Sequence, residues 1–143
     1  MSDSDEMVRA SGGPSSVWLS LLAWLPPILW ATLIFVLSAI PGDGLPPLPV
    51  AQTDKLIHAA VYLVLGVLCF RALARTTRLG PRAALAAAAL LATLYGAGDE
   101  LHQRFTPGRS PDLADVAADA FGAVAGVLLI GAVKRRRARR RDG

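Results

Sequence analysis

Residues 83–112 read AALAAAALLATLYGAGDELHQRFTPGRSPD. From Ala83 to Leu94 no side chain carries a charge; then Asp99, Glu100, His102, Gln103, Arg104 and Arg109 fall within eleven residues. Taken with its flanks, from Pro81 to Gln103, this stretch has the length of a membrane-spanning helix, about twenty residues. The polar cluster then marks the place where that helix leaves the lipid. "TPGRSPD" follows as a turn, with Ser110 expected as N-cap, Pro111 at the first helical position and Asp112 on the positive end of the next helix dipole.

Three further apolar stretches repeat the pattern. Their spans are expected at about residues 17–40, 54–73, 82–103 and 112–133, so the fold class is an all-α membrane protein, a four-transmembrane-helix bundle. The chain has 143 residues, 53% hydrophobic and 18% charged. A soluble domain carries roughly a quarter charged residues and polar faces on its helices, which these segments largely lack. Residues 1–16, with three acids and one base among Ser and Gly, are expected as a disordered tail and not as a signal peptide, because the following apolar run is too long for an h-region. Residues 17–133 form the membrane domain. In span one, Trp18 and Trp24 suit the interfacial belt and Pro26-Pro27 interrupt the hydrogen-bond ladder. "PGDGLPPLPV" is a Pro-rich extended loop.

Charge sets orientation. The connection between spans two and three carries Arg71, Arg75, Arg78 and Arg82, and residues 134–143, KRRRARRRDG, hold seven of the fifteen basic residues. The positive-inside rule therefore places both termini in the cytoplasm. The basic tail has no aromatic interleaving, so it offers nucleic acid no stacking platform; as a juxtamembrane segment it suits anionic lipids, at about 1 kcal/mol per residue near the surface. The single cysteine, Cys69, has apolar neighbours and reads as a packing residue.

Depth converts the polar residues into a site. Counting about twenty residues outward from the inner arginines, at 1.5 Å per residue, brings Asp99 and Glu100 to the outer lipid edge. It brings Asp115 to the same edge with Asp119 about 7 Å deeper, and Asp54 and Lys55 to the edge of span two with His58 one turn below. Asp54, His58 and Tyr62 recur at i, i+4, i+8; Asp112, Asp115 and Asp119 at i, i+3, i+7; Gly96, Glu100 and Gln103 share a face with Asp99 beside it. A carboxylate inside lipid costs about 2.5–3.5 kcal/mol on insertion scales, so these faces are expected to turn inward and meet as an outward-opening polar cup. Ala118, Gly122 and Gly126 continue as a small-residue stripe fit for close helix approach, within the chain or in a homo-oligomer. No ionisable group is expected between Tyr62 or Asp119 and the inner arginines, which argues against a pump or exchanger acting alone.

Three blocks carry a family resemblance: "IFVLSAIPG" (34–42), "DKLIHAAVYLVLG" (54–66) and "LYGAGDELHQRFTPGRSPDLADVAADAFGAVAG" (94–126). In order and spacing they resemble the VanZ-like family of small bacterial integral membrane proteins. The family pattern falls on Ser38, Asp54, Lys55, His58, Tyr62, Asp99, Glu100, His102, Gln103, Pro107, Gly108, Arg109, Asp115, Gly122 and Gly126. Asp119 departs from it, since such proteins more often carry Asn there. The resemblance implies a multi-pass protein of the bacterial cytoplasmic (inner) membrane, acting in the cell envelope, with a founding member linked to low-level teicoplanin resistance. It implies no reaction.

The mixture of histidines, carboxylates and Arg109 is that of a site handling a polar head group. The leading reading is a cup that binds or modifies an envelope lipid or lipid-linked precursor. Arg109 with Lys55 clamps phosphate or carboxylate, Glu100 is the general acid or base with His58 or His102 as partner, and Asp54, Tyr62, Asp99, Gln103, Asp115 and Asp119 complete the binding surface. Two alternatives stand beside it. One is a non-catalytic adaptor whose polar cluster is structural or docks an envelope protein. The other is a metal-dependent enzyme using His58, His102, Glu100 and Asp115. The residues name no cofactor.

Overall fold

The computed structural model describes residues 16–42 and 53–141. The acidic N-terminal tail and most of the Pro-rich loop expected above lie outside the described residues. Four helices follow one another: α1 (Ser16–Ser38), α2 (Thr53–Thr76), α3 (Pro81–Gln103) and α4 (Leu113–Arg139), with no strand among the described residues. At 23 to 27 residues each, they are about 35–40 Å long, enough to cross a hydrocarbon core of about 30 Å. All four are apolar enough to do so. Large apolar side chains point away from the bundle, among them Leu56 (72% exposed), Phe121 (71%) and Leu94 (61%). That distribution fits lipid as the surrounding solvent. The chain is a multi-pass membrane protein.

Helix ends follow local chemistry. Gly80 in an extended conformation (φ −62°, ψ 158°) leads into Pro81, whose missing N–H costs nothing in a first turn. The α4 N-cap is Asp112, two residues later than the Ser110 expected from sequence. Its Oδ1 accepts the Ala114 N–H at 2.8 Å, and its own N–H donates to Glu100 Oε2 at 3.1 Å. Those two bonds hold Asp112 extended (φ −124°, ψ 123°) and delay the helix start to Leu113. At the other end α4 continues to Arg139, past the boundary near Val133 that hydropathy marks. Ala and Arg are strong helix formers, and the positive side chains complement the negative end of the dipole. Lys134 Nζ sits 4.7 Å from the centre of the Phe70 ring. Helix α1 runs unbroken through Pro26 and Pro27.

Helix α2 is the centre of the bundle, packed against all three others, whereas α1 leans on α2, touches α3 lightly and does not reach α4. Hydrogen bonds fasten α1: Trp30 Nε1 donates to the Val61 carbonyl at 2.9 Å, Trp24 Nε1 to Thr76 Oγ1 at 3.2 Å, and Tyr95 Oη of α3 to the Ala31 carbonyl at 2.6 Å. Helix α3 buries Ala84, Ala88, Ala92 and Gly96 at every fourth residue. That face of small side chains lets it lie close to α2 and α4, and it continues directly into Glu100 and Gln103.

The closest approach is between α2 and α4. A Cβ on Gly122 would fall on the Ala59 carbonyl, one on Gly126 on the Leu63 carbonyl, and one on Gly66 within 2.7 Å of the Ala123 carbonyl. The small-residue stripe expected on α4 is therefore occupied by α2 of the same chain. Gly122 and Gly126 are buried inside the bundle, against α2. At the polar end, Gly42 N–H donates to the Pro107 carbonyl at 3.0 Å. Gly108 adopts φ 70°, a left-handed conformation suited to glycine. This pair pins the exit of α1 to the α3–α4 turn.

Because carbonyl oxygens cannot swing aside like a side-chain tip, Gly122→Ala or Gly126→Ala should destabilise the bundle by about 1–3 kcal/mol. Gly98→Ala, which meets nothing within 4 Å, should leave it as stable or more so. Thermal melting of the three variants in one detergent checks this; equal melting temperatures would refute the close packing.

Candidate functional site

The end of the bundle remote from Arg71, Arg75, Arg78, Arg82 and the basic C-terminal run gathers side chains from every helix. Helix α2 supplies Asp54, Lys55, His58 and Tyr62, α3 supplies Asp99, Glu100 and Gln103, and α4 supplies Asp115 and Asp119. Ser38 comes from the last turn of α1, with Arg109 and Asp112 from the turn before α4. Helical spacing explains each group, and the glycine contacts explain why the α2 and α4 groups stand opposite each other.

Two rungs tie α2 to α4. In the upper one, Lys55 Nζ lies 2.6 Å from Asp115 Oδ1, 2.7 Å from Asp112 Oδ2 and 3.0 Å from Asp54 Oδ2. One ammonium thus serves three carboxylates. One turn deeper, His58 Nδ1 is 2.9 Å from Asp119 Oδ1. When Asp119 is ionised it accepts from Nδ1–H, the tautomer that leaves Nε2 unprotonated. Asp119 is 1% exposed. Gly96 makes room for it: a Cβ there would lie 2.8 Å from Asp119 Oδ2 and 3.1 Å from Tyr62 Cε1. Tyr62 is buried beneath, its ring centre 6.4 Å from that of Tyr95.

Buried polar atoms ordinarily have hydrogen-bond partners. Here Ser38 Oγ, Tyr62 Oη, Asp99 Oδ1, Glu100 Oε1, Arg109 Nε and Asp119 Oδ2 are all buried without one among the described residues. They are gathered at this one end of the bundle. Adjoining them is a cavity of about 320 Å³. One wall is apolar, formed by Leu33, Ile34 and Leu37 of α1 with Ile57 and Val61 of α2; the other is polar, formed by Ser38, Asp54, His58, Tyr62, Asp99, Gln103 and Arg109.

Most of the residues expected from sequence therefore meet at one level. Two do not behave as expected. His102 is not brought to Glu100 and His58; its ring packs on Phe35 of α1, centres 4.6 Å apart. Two residues along a helix is about 200° of rotation, which turns it to another face. Lys55 is engaged by Asp54, Asp112 and Asp115 and is not free to clamp an anion. Arg109 forms no ion pair among the described residues and remains on the cavity wall. A ligating atom of His58, one of Glu100 and one of Asp115 lie within 4.8 Å of one another. Sequence reasoning left Ser38 out of the site and gave Asp112 only a place at the positive end of the helix dipole. Asp112 lies outside the spans, and its carboxyl is held below the usual carboxylate range by the Lys55 ammonium and the Ala114 N–H.

Fold and site together define a small multi-pass membrane protein with a buried carboxylate–histidine centre at one end of a four-helix bundle. The chain belongs to the VanZ/LLP1 family, whose pattern it matches over residues 23–134. That match takes in α2, α3 and every residue of the site. No curated protein and no solved structure matches the chain.

Lys55→Met and Asp115→Asn should be non-additive in melting experiments, with a coupling of about 0.5–3 kcal/mol; additive effects would mean the upper rung is not formed. For Asp112 the folded value lies below the unfolded one. Its stabilisation is present above about pH 4 and is lost as pH falls through the folded value. Asp112→Asn should accordingly flatten the loss of melting temperature on acidification.

Proposed function

We propose that this protein binds the head group of a cell-envelope lipid or lipid-linked precursor in the cavity between α1, α2 and α3. The observation that carries this reading is the two-sided cavity. Its apolar wall suits an acyl or prenyl chain and its polar wall suits a head group. Leu33, Leu37 and Ile57 are each about half exposed, so the apolar side is continuous with the lipid-facing surface. Arg109 contributes the one cation on the wall that no carboxylate engages, and a guanidinium matches phosphate or carboxylate in a bidentate fork. Glu100, buried with a free oxygen and grouped with His58, is the group for moving a proton if the lipid is chemically altered.

The protein's proposed setting is the bacterial inner membrane, with both termini in the cytoplasm and the cavity in the outer leaflet. The arginine bias supports that orientation. The exposed Arg135, Arg136, Arg137, Arg139, Arg140 and Arg141 are then placed against anionic lipid heads on the inner side. The family resemblance supports a role in the cell envelope and in the response to glycopeptides such as teicoplanin.

A photoactivatable anionic phospholipid in native membranes should label α1 and α2, and Arg109→Ala should lower that labelling about tenfold or more, as expected for a lost charge-assisted bond of about 1.5–3 kcal/mol. Equal labelling of the variant and the native protein would remove the head-group assignment. In a Cys69→Ala background, Asp54→Cys should react with an impermeant thiol reagent from outside and Ala138→Cys only after permeabilisation. The reverse pattern would invert the orientation.

A further inference from the structure

The site is acidic: Asp54, Asp99, Glu100, Asp112, Asp115 and Asp119 face only Lys55 and Arg109 as permanent cations. Lys55 satisfies the upper three, Asp54, Asp112 and Asp115. Deeper in the bundle, Asp99, Glu100 and Asp119 have no Lys or Arg within ion-pair distance among the described residues. An anionic head group would enter against that surplus, where a low dielectric strengthens every repulsion.

We propose that His58, Glu100 and Asp115 hold a divalent transition-metal ion. Three observations converge. One ligating atom from each residue lies within 4.8 Å of the other two. A contraction of roughly 1 Å across the widest pair brings all three to bonding distances of about 2.0–2.2 Å. Next, Glu100 is 3% exposed and its Oε1 has no partner, so a nearly fully buried carboxylate oxygen is left over within the triplet. Last, each of the three also meets a neighbouring group that can orient it. Asp119 accepts from His58 Nδ1, Asp112 N–H donates to Glu100 Oε2, and Lys55 meets Asp115 Oδ1. Outer groups of this kind orient metal ligands, and a carboxylate behind a histidine selects the tautomer whose other nitrogen can bind an ion. This assigns the deeply buried Asp119 a purpose that a simple helix fastener would not need.

One imidazole and two carboxylates favour zinc or manganese over magnesium or calcium, which prefer all-oxygen shells. Three protein ligands leave a position open. His58 belongs both to the triplet and to the cavity wall, so the ion stands beside the cavity and its open position is where a phosphate or carboxylate oxygen would bind. That last role rests on the head-group reading above; the ion site does not. His102, on its separate face against Phe35, is no ligand.

The full-length protein, purified in detergent with a histidine-free tag and treated with chelator, should bind about one zinc or manganese ion per chain, measured by titration and by elemental analysis. His58→Ala and Glu100→Gln should each abolish stoichiometric binding. Asp119→Asn should weaken it by about 10–100-fold, as loss of an outer-shell partner does, and His102→Ala should leave it unchanged. Absence of stoichiometric binding of either ion to the native protein overturns the proposal without needing any variant to fold. Native-like binding by folded His58→Ala and Glu100→Gln, or loss of it in His102→Ala, overturns the assignment of ligands. Lipid labelling read in the same preparations separates the two ideas. An ion bound with labelling indifferent to Arg109→Ala would sink the head-group reading alone, and labelling that depends on Arg109 with no ion bound would sink this one alone.

Discussion

The backbone contact between α2 and α4 is the constraint on which the site depends. Gly122 and Gly126 bring the α4 axis against the carbonyls of Ala59 and Leu63, and Gly66 returns the contact from α2. In hydrocarbon no hydrophobic effect drives helices together, so close van der Waals packing has to supply that attraction. Once the two helices are set at this distance, the residues one and two turns above the glycines have little freedom. Lys55 must meet Asp115, and His58 must meet Asp119. The polar rungs are thus built on an apolar, glycine-lined foundation.

Helix α3 completes the enclosure with the same device in a different register. Its Ala84, Ala88, Ala92 and Gly96 face occupies little space, which lets Glu100 arrive beside His58 and Asp115. Glu100 also accepts the backbone N–H of Asp112, so a site carboxylate helps define where α4 begins. The α3–α4 turn is therefore part of the site, and Arg109 is positioned by it. Changes in that turn should be felt at the helix start and at the cavity wall together.

Helix α1 has another role. It is fastened by side-chain hydrogen bonds to carbonyls and a threonine, at Trp30, Trp24 and Tyr95, and it stays away from α4. This looser seat leaves the cavity between its Leu33, Ile34 and Leu37 and the polar groups of α2 and α3. Rigid packing on one side of α2 and an open flank on the other give the molecule a firm polar centre next to an accessible apolar groove. That division suits recognition of an amphiphile, whose head requires fixed partners and whose chain does not.

Much of this was readable in the primary structure. Four largely apolar stretches of spanning length leave an all-helical bundle as the only economical way to satisfy the backbone in lipid. The spacing of Asp54, His58 and Tyr62, and of Asp115 and Asp119, already places them on single helix faces. The cost of charge in hydrocarbon turns those faces inward. Sequence spacing says nothing, however, about which neighbour a face meets. His102 was drawn toward the site by proximity to Glu100 along the chain, yet helical rotation sends it to Phe35. Lys55 looked like a free clamp until three carboxylates from two helices and a turn closed around it. The glycine stripe could equally have served a second copy, and the folded chain uses it for α2. Asp112 rather than Ser110 caps α4 because Glu100, twelve residues earlier, holds its N–H. Each of these outcomes turns on interaxial distance and rotation between helices, quantities set by packing of side chains far apart in the chain and absent from any local pattern.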